Sequence, residues 1–477
     1  KPRVATVCKL FKPFPEFFAG DKGKPCHQPK KIKKEMLDSD VVCLYFPAPK
    51  SFTGEDVIEY HVHGNPVLVH EVLQAISACD RKIPVDSSRT SLFEEETATH
   101  PIRIAEAGEF TRRAFFNGKL DLTQIEGLAD LLTAQTEQQR AQAVKQIDGQ
   151  LGVLYKHWRT EVIGCLAYVE AVIDFAEDEA DVGEAEIMQF VVPRVKALQN
   201  SLHQHLTDNR RGEILRNGVN VAIVGRPNAG KSSLLNAVMQ RDVAIVSPIE
   251  GTTRDVVEVN LNLGGYPVNL ADTAGIRVSG DEVEMEGVKR AQERLESSDL
   301  RILVLDSNSC AADVESTVEW LKVAVNSSSI VVLNKADLSA AKAEIGHVSQ
   351  LTRLEEELRC HLGAHITVCA VSCTEGTGIS DFLSVLQNHV QKRLTHWNTA
   401  NDVLEEDQPI ITRARHRLHA EEAVAHLEMF DEYNGRGDLV LAAEMLRLAM
   451  KSLGRIVGTI DVEELLDVIF SDFCIGK

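Results

Sequence analysis

The densest chemistry in this 477-residue chain lies between positions 221 and 376. The stretch VAIVGRPNAGKSS (221–233) joins an apolar, β-branched run to Gly-x-x-x-x-Gly-Lys-Ser and then to a helical pattern, the setting a phosphate-binding loop needs. Gly225 and Gly230 let backbone N–H groups curl round phosphate oxygens, Lys231 supplies positive charge, and the Ser232 hydroxyl suits magnesium. Asn228, Ala229, Gly230, Lys231, Ser232 and Ser233 are therefore the first candidate nucleotide contacts. One short pattern arises easily by chance. Further elements in the right order make this one specific.

In GTTRD (251–255), Gly251, Thr252 and Thr253 follow, with Thr253 placed to complete a magnesium shell and sense a γ-phosphate. In DTAG (272–275), Asp272 ends a strand pattern facing the magnesium, and Thr273, Ala274 and Gly275 lead the backbone to the γ-phosphate. In NKAD (334–337), Asn334 and Lys335 precede Asp337, whose carboxylate can accept from guanine's ring N–H and exocyclic amine. Adenine has no donors there and would leave the carboxylate unpaired. SCTEG (372–376) adds Ser372, Cys373 and Thr374 beside the base, with Cys373 read as positional rather than reactive. The expected chemistry is hydrolysis of GTP. Ile276 stands directly after DTAG, where many such switches carry a glutamine that orients water, so another group must take that part.

The elements that hold these motifs alternate. VNVAIVG, YPVNLAD, LRILVLD, SIVVLNK and HITVCAVS read as strands separated by helical patterns, which predicts a mostly parallel sheet covered on both faces, with ligands at the strands' carboxyl ends. Before it, Ile147, Leu151, Leu154, Trp158, Val162, Leu166, Val169 and Ile173 step by three or four along one long helix, a stripe that core packing explains. After it, Leu446, Met450, Leu453 and Val457 keep the same step, and Asp461 to Glu464 reads as a capping box opening a last helix. Helical segments on both sides of an α/β unit predict one helical domain interrupted by an insertion. Residues 176–186 hold six carboxylates, read as a solvated acidic turn.

The first part of the chain alternates differently. SDVVCLYF and EDVIEYHVHG read as half-buried strands, with His61 and His63 on one strand face, packed rather than metal-bound because no third ligand is near. Lysines and prolines crowd residues 9–34, a strand followed by a basic loop, and 86–100 reads as an inserted surface loop. The chain opens at Lys1 rather than methionine, so a preceding segment, any organelle-targeting peptide included, is expected. With 71 acidic against 51 basic residues and a formal charge of −20, the chain is unsuited to coating nucleic acid, and any RNA must meet local basic patches. Ten cysteines without paired spacing predict reduced thiols, and no apolar run has the length of a membrane span.

The G motifs, together with FPAPKSFTGEDVIEYHVHG (46–64), GEFTRRAFFNGKLDLTQIEGLADL (108–131) and the terminal FCIGK, resemble the MnmE (TrmE) family of tRNA-modifying GTPases and its mitochondrial members. The resemblance implies an α+β folate-binding and dimerisation domain (1–119), a helical domain in two parts (120–213 and 391–477), and an inserted α/β G domain (214–390). It also implies potassium in place of an arginine finger, held by the Asn228 side chain with Ser247, Ile249 and Thr252 completing the shell. By the same likeness Glu284 positions the attacking water, with Glu282 the neighbouring alternative. Glu59 and Lys119 match folate contacts, and Cys474 a thiol beside the folate, as nucleophile or hydrogen-bonding group; the alternative is that Cys474 only packs. An arginine of the folate site would lie upstream of Lys1, so weak folate binding by this chain is expected. The implied cofactors are GTP, magnesium, potassium and a 5-formyl or 5,10-methylene tetrahydrofolate. The implied partners are a second copy, tRNA and an FAD-dependent protein of the MnmG family, in mitochondria or else in cytoplasm. The target would be carbon 5 of the wobble uridine, carrying a carboxymethylaminomethyl or taurinomethyl group. A ribosome-assembly GTPase and a folate-dependent one-carbon transferase are the rival readings.

Overall fold

The computed structural model describes residues 2–12, 35–78, 102–175, 184–208, 210–241, 243–245, 258–272, 298–326, 328–340, 350–363, 366–395, 409–459 and 469. The chain divides into two compact units, 1–125 with 461–477, and 126–460.

In the first unit, β1 (Thr6–Phe11), β2 (Met36–Phe46) and β3 (Val57–His61) form an antiparallel sheet in that order. Helix α1 (Pro66–Ser77) starts where Asn65 caps the Val67 N–H and Pro66 fixes the first turn, and α2 (Glu109–Phe116) follows. The strand reading of the two histidines needs correction. β3 ends at His61, and His63 lies beyond it, its N–H and ring Nδ1 both on the buried Asp38 carboxylate, the ring at 2.8 Å. The His63 N–H, with the ring and the Ser39 N–H, holds the Asp38 carboxyl below its usual range.

The helical part of the second unit begins with α3 (Leu122–Thr133), which crosses the boundary, then α4 (Glu137–Ile147), α5 (Gln150–Phe175), α6 (Glu184–Leu206) and α7 (Arg211–Asn217). The apolar stripe is real from Leu151 onward, but Ile147 belongs to α4. Gly149, at φ 89, takes the left-handed turn that ends one helix and starts the next. Tyr155 and Cys165 join the buried face.

The α/β part has a six-stranded sheet in the order β5 (Glu258–Leu263), β6 (Tyr266–Asp272), β4 (Val219–Val224), β7 (Leu300–Asp306), β8 (Ser329–Asn334), β9 (Thr367–Ala370). All pairs are parallel except β5 with β6. Strand β5 is an addition to the sequence reading: Val259, Leu261 and Leu263 are buried while Asn260 and Asn262 alternate outward. Helices α8 (Lys231–Met239), α9 (Ser307–Ala312), α10 (Val314–Ala324), α11 (Ala336–Ala340), α12 (Gln350–Leu362) and α13 (Ile379–Thr395) cover the sheet. Ile223, Ile302, Val304, Ile330 and Val332 pack against Leu234 and Phe382 on one face, whereas Leu303, Leu305, Val331 and Leu333 pack against Leu321 and Leu358 on the other. Successive residues point to opposite faces and both faces are buried, so these strands read as continuous apolar runs.

Beyond this insertion, α14 (Ala414–Gly435) and α15 (Leu439–Val457) return to α5 and α6. Trp158, Val162, Val195, Leu202, Leu427, Phe430, Leu446 and Leu453 share one core. A P-loop-bearing α/β unit is thus inserted in a helical bundle and preceded by an α+β unit, as expected. The capping box at 461–464 and the acidic run at 176–183 lie outside the described residues. No helix among the described residues is long and apolar enough to cross a membrane.

Candidate functional site

The loop after β4 is shaped by positions that tolerate nothing larger. A Cβ on Gly225 would overlap the Val304 carbonyl oxygen of the neighbouring strand, and one on Gly230 would overlap Asn334 Nδ2. Gly230 also sits at φ 93 and opens α8 in the left-handed region, while Asn228 takes φ 62 and stands exposed. The i→i−4 ladder of α8 begins with the Leu234 N–H donating to Gly230 O at 2.9 Å, so the N–H groups of Lys231, Ser232 and Ser233 precede it at the helix's positive end. Lys231 is buried and its Nζ donates to the Gly225 and Arg226 carbonyls at 2.9 and 3.1 Å, wrapping the loop round its own cation.

The second half of the site arrives from β8. Asn334, 2 % exposed, donates from Nδ2 to Ala229 O at 3.0 Å and accepts from the Lys335 N–H at 2.8 Å and the Cys373 N–H at 3.4 Å. It is therefore a strut joining the phosphate loop, the NKAD turn and the SCTEG loop, a role the sequence reading, which assigned it to the nucleotide, did not contain. Lys335, at φ 62, reaches Asp306 at the end of β7, Nζ to Oδ2 at 2.6 Å. Burial pushes Asp306 up, but Lys335 and the Asn308 and Ser309 N–H groups outweigh it and keep the carboxyl below its usual range. Asp306 escaped the sequence reading; its one signal is an aspartate ending a parallel strand.

Asp337 carries the most informative feature: its Oδ1 is buried and has no hydrogen-bond partner among the described residues. A carboxylate oxygen left so is costly unless a ligand with N–H donors completes it. Ser372, fully buried, accepts the Glu375 N–H at 3.2 Å on its hydroxyl and donates its own N–H to Thr377 O, fixing the turn that contains Cys373 and Thr374. Burial, then the neighbouring Asp337 charge, push the Cys373 thiol up to about 11, which suits a positional cysteine.

The structure thus assembles Ala229, Gly230, Lys231, Asn334, Lys335, Asp337, Ser372 and Cys373 through contacts at the carboxyl edge of the sheet. Asp272 ends β6 there, described in its backbone only. Ser247, Ile249, Gly251, Thr252, Thr253, Thr273, Ala274, Gly275, Glu282, Glu284 and Cys474 lie outside the described residues. In the first unit no contact joins Glu59 and Lys119. Glu59 is exposed with Oε2 3.5 Å from His61 Nε2, and Lys119 Nζ donates to Pro49 O at 3.1 Å. A concavity of about 700 Å³ in that unit, lined by Glu55, Arg103, Glu109, Phe110 and Arg113 among others, includes neither.

Comparison with known proteins agrees with the architecture. The family model described as the MnmE helical domain matches residues 122–474, and that described as the GTP-binding protein TrmE N-terminus matches residues 10–119. The mitochondrial 5-taurinomethyluridine tRNA synthase subunit GTPB3 of Danio rerio is 44% identical over 93% of this chain and 83% of its own length. The Homo sapiens protein of the same name is 42% identical over 93% and 82%. The tRNA modification GTPase MnmE of Paramagnetospirillum magneticum is 41% identical over 95% and 92%. The likeness runs through both units, and on it the chain belongs to the MnmE family of tRNA modification GTPases.

Proposed function

We propose that this chain, a GTPase acting in tRNA modification, hydrolyses GTP to drive a change at carbon 5 of the wobble uridine, of the carboxymethylaminomethyl or taurinomethyl type. The observation that carries the guanine part is the unpartnered, buried Asp337 Oδ1 beside a loop tied to it through Asn334. A guanine meets that carboxylate with two N–H donors, one to each oxygen; the β- and γ-phosphates take the Lys231 ammonium from the loop carbonyls and the N–H groups that open α8. Ser232, with Thr253 and Asp272, would hold magnesium, and the exposed Asn228, with Ser247, Ile249 and Thr252, would hold potassium. Held by these residues, the cations would supply positive charge against the negative charge that builds on the phosphates in the transition state. Glu284 is the residue assigned to positioning water, in place of the glutamine that Ile276 displaces.

The remaining assignments rest on family membership. The G domain spans about 214–390, inserted between the helical parts 120–213 and 391–477, and it pairs with the G domain of a second copy during turnover. An FAD-dependent MnmG-family protein and a tetrahydrofolate, met by Glu59, Lys119 and Cys474, complete the modification. The mitochondrial relatives favour that compartment. Depletion followed by nucleoside analysis of tRNA decides the matter. Loss of the carbon-5 modification supports this reading; an unchanged wobble profile favours a ribosome-assembly GTPase and refutes it.

A further inference from the structure

Away from the nucleotide, where α4 lies over the β5–β6 hairpin, the second unit contains a cavity of about 240 Å³. Its walls come from the end of α3, the polar side of α4, the end of α7 and the outward face of the hairpin. The hairpin register sets Asn260 opposite Asn269 and Asn262 opposite Pro267, so the residues between the buried Val259, Leu261, Val268 and Leu270 turn to this side. The α4 N-terminus is pinned there by the Gln138 N–H on Gly265 O at 3.2 Å and by Gln139 Nε2 on Arg216 O at 2.8 Å.

The lining is chemically one-sided. Gln135, Gln142, Gln146, Asn217, Asn260 and Asn269 all contribute to it. The charges at its rim are spent on each other: Asp130 Oδ1 accepts from Arg216 Nε and from Arg413 Nη2, each at 2.8 Å. Some amides are spent as well, Asn269 donating to Asn217 O at 2.9 Å and Gln146 Oε1 accepting from Thr412 at 3.0 Å. The amides of the half-buried Gln142 and Asn260 have no partner among the described residues. An amide offers a donor pair and an acceptor side by side, and half-buried amides without partners favour a ligand with the same alternation. Among the described lining residues a phosphate or carboxylate would find no unpaired cation, Arg216 being held by Asp130. The volume falls below the ~300–1,000 Å³ of drug-sized sites and suits one small ring system.

The geometry points to a binding site for an uncharged nucleobase, read on its hydrogen-bonding edge by Gln142 and Asn260. The base arrives on a free nucleoside or on a single-stranded RNA segment. This site is separate from the one at Asp337, and the test keeps them apart. The full chain is saturated with GDP, then titrated with uridine, cytidine and adenosine by calorimetry and saturation-transfer NMR, and in parallel with a uridine pentanucleotide. Saturable binding of a nucleoside or the pentanucleotide, weakened at least about tenfold by Gln142→Leu and by Asn260→Leu, supports the site. The tighter of the two probes identifies the source. GDP affinity of each variant reports its folding, and the near-isosteric Gln142→Glu, which replaces the donor pair by a charged acceptor, must weaken binding too. Absence of saturable binding by every probe, or binding indifferent to all three substitutions, overturns the proposal.

Discussion

Asp337→Asn tests the guanine assignment with a change of one atom. Asp337 Oδ1 is buried and unpartnered among the described residues, so the substitution removes no hydrogen bond described for that oxygen and the melting temperature of the free protein should hold or rise. With guanine the balance reverses. Hydrogen bonds to a charged partner contribute about 1.5–3 kcal/mol each. Asparagine keeps one neutral acceptor for the ring N–H but turns an N–H₂ toward the exocyclic amine, so one bond weakens and the other becomes donor against donor. The combined loss is about 3–4 kcal/mol, or roughly 10²–10³ in GDP affinity. Xanthine carries a carbonyl where guanine carries the amine, and should recover much of that loss in the variant. Titration calorimetry with GDP and XDP, beside thermal melts of the free protein, measures all three quantities. A GDP affinity within about threefold of the parent, or no gain for XDP, refutes the reasoning.

Three further outcomes are expected. Gly230→Ala forces a Cβ into the left-handed region and against Asn334 Nδ2; about 1–2 kcal/mol of backbone strain and about 1 kcal/mol from the Asn334–Ala229 bond should lower GDP affinity by at least about tenfold, read by the same calorimetry. Glu126 is buried among His416, Arg415 and Arg413; burial pushes its carboxyl up, but these partners outweigh it and hold it at about 2. Burial, the largest influence on His416, lowers its pKa against Glu126's pull. A depressed folded pKa contributes stability that is complete above the unfolded value and lost as pH falls from about 4.5 through about 2. Chemical denaturation across that window should therefore show at most about 3 kcal/mol less loss on acidification in Glu126→Gln. Glu284→Ala should slow GTP turnover at least about 10²-fold with GDP affinity unchanged, whereas Glu282→Ala leaves turnover near the parent's; the reverse pattern would move the water-positioning role to Glu282.

The sequence discloses the parts of this protein whose signals are local. The phosphate loop, the NKAD turn and the buried parallel strands each declare themselves within a dozen residues, by motif or by an unbroken apolar run. Strand β5 was equally local and still missed. Its Val259, Leu261 and Leu263 alternate properly, but Asn260 and Asn262 between them are poor strand formers; Asn260 lines the amide-rich cavity outside and Asn262 Oδ1 accepts the Gly265 N–H in the hairpin turn. The stripe that ran from Ile147 into α5 failed for the opposite cause, since periodicity continued across a turn that only the left-handed Gly149 marks. What sequence cannot disclose is pairing at long range. Arg415 meets Glu126 across 289 positions, Arg417 meets Glu213 across 204, and Asn334 props Ala229 across 105. Nothing in the neighbourhood of any of these residues announces its partner. Asn334 is assigned to the nucleotide by its motif, and the structure adds its side chain's bonds to Ala229, Lys335 and Cys373.

GTP hydrolysis at this site is proposed to need a bound monovalent cation that would supply positive charge at the phosphates. The direct measurement is steady-state phosphate release from GTP by the full chain, in potassium and in sodium chloride at equal ionic strength. Turnover at least about tenfold faster in potassium, with Asn228→Ala abolishing the difference, is the predicted result. Equal rates in the two salts would contradict it.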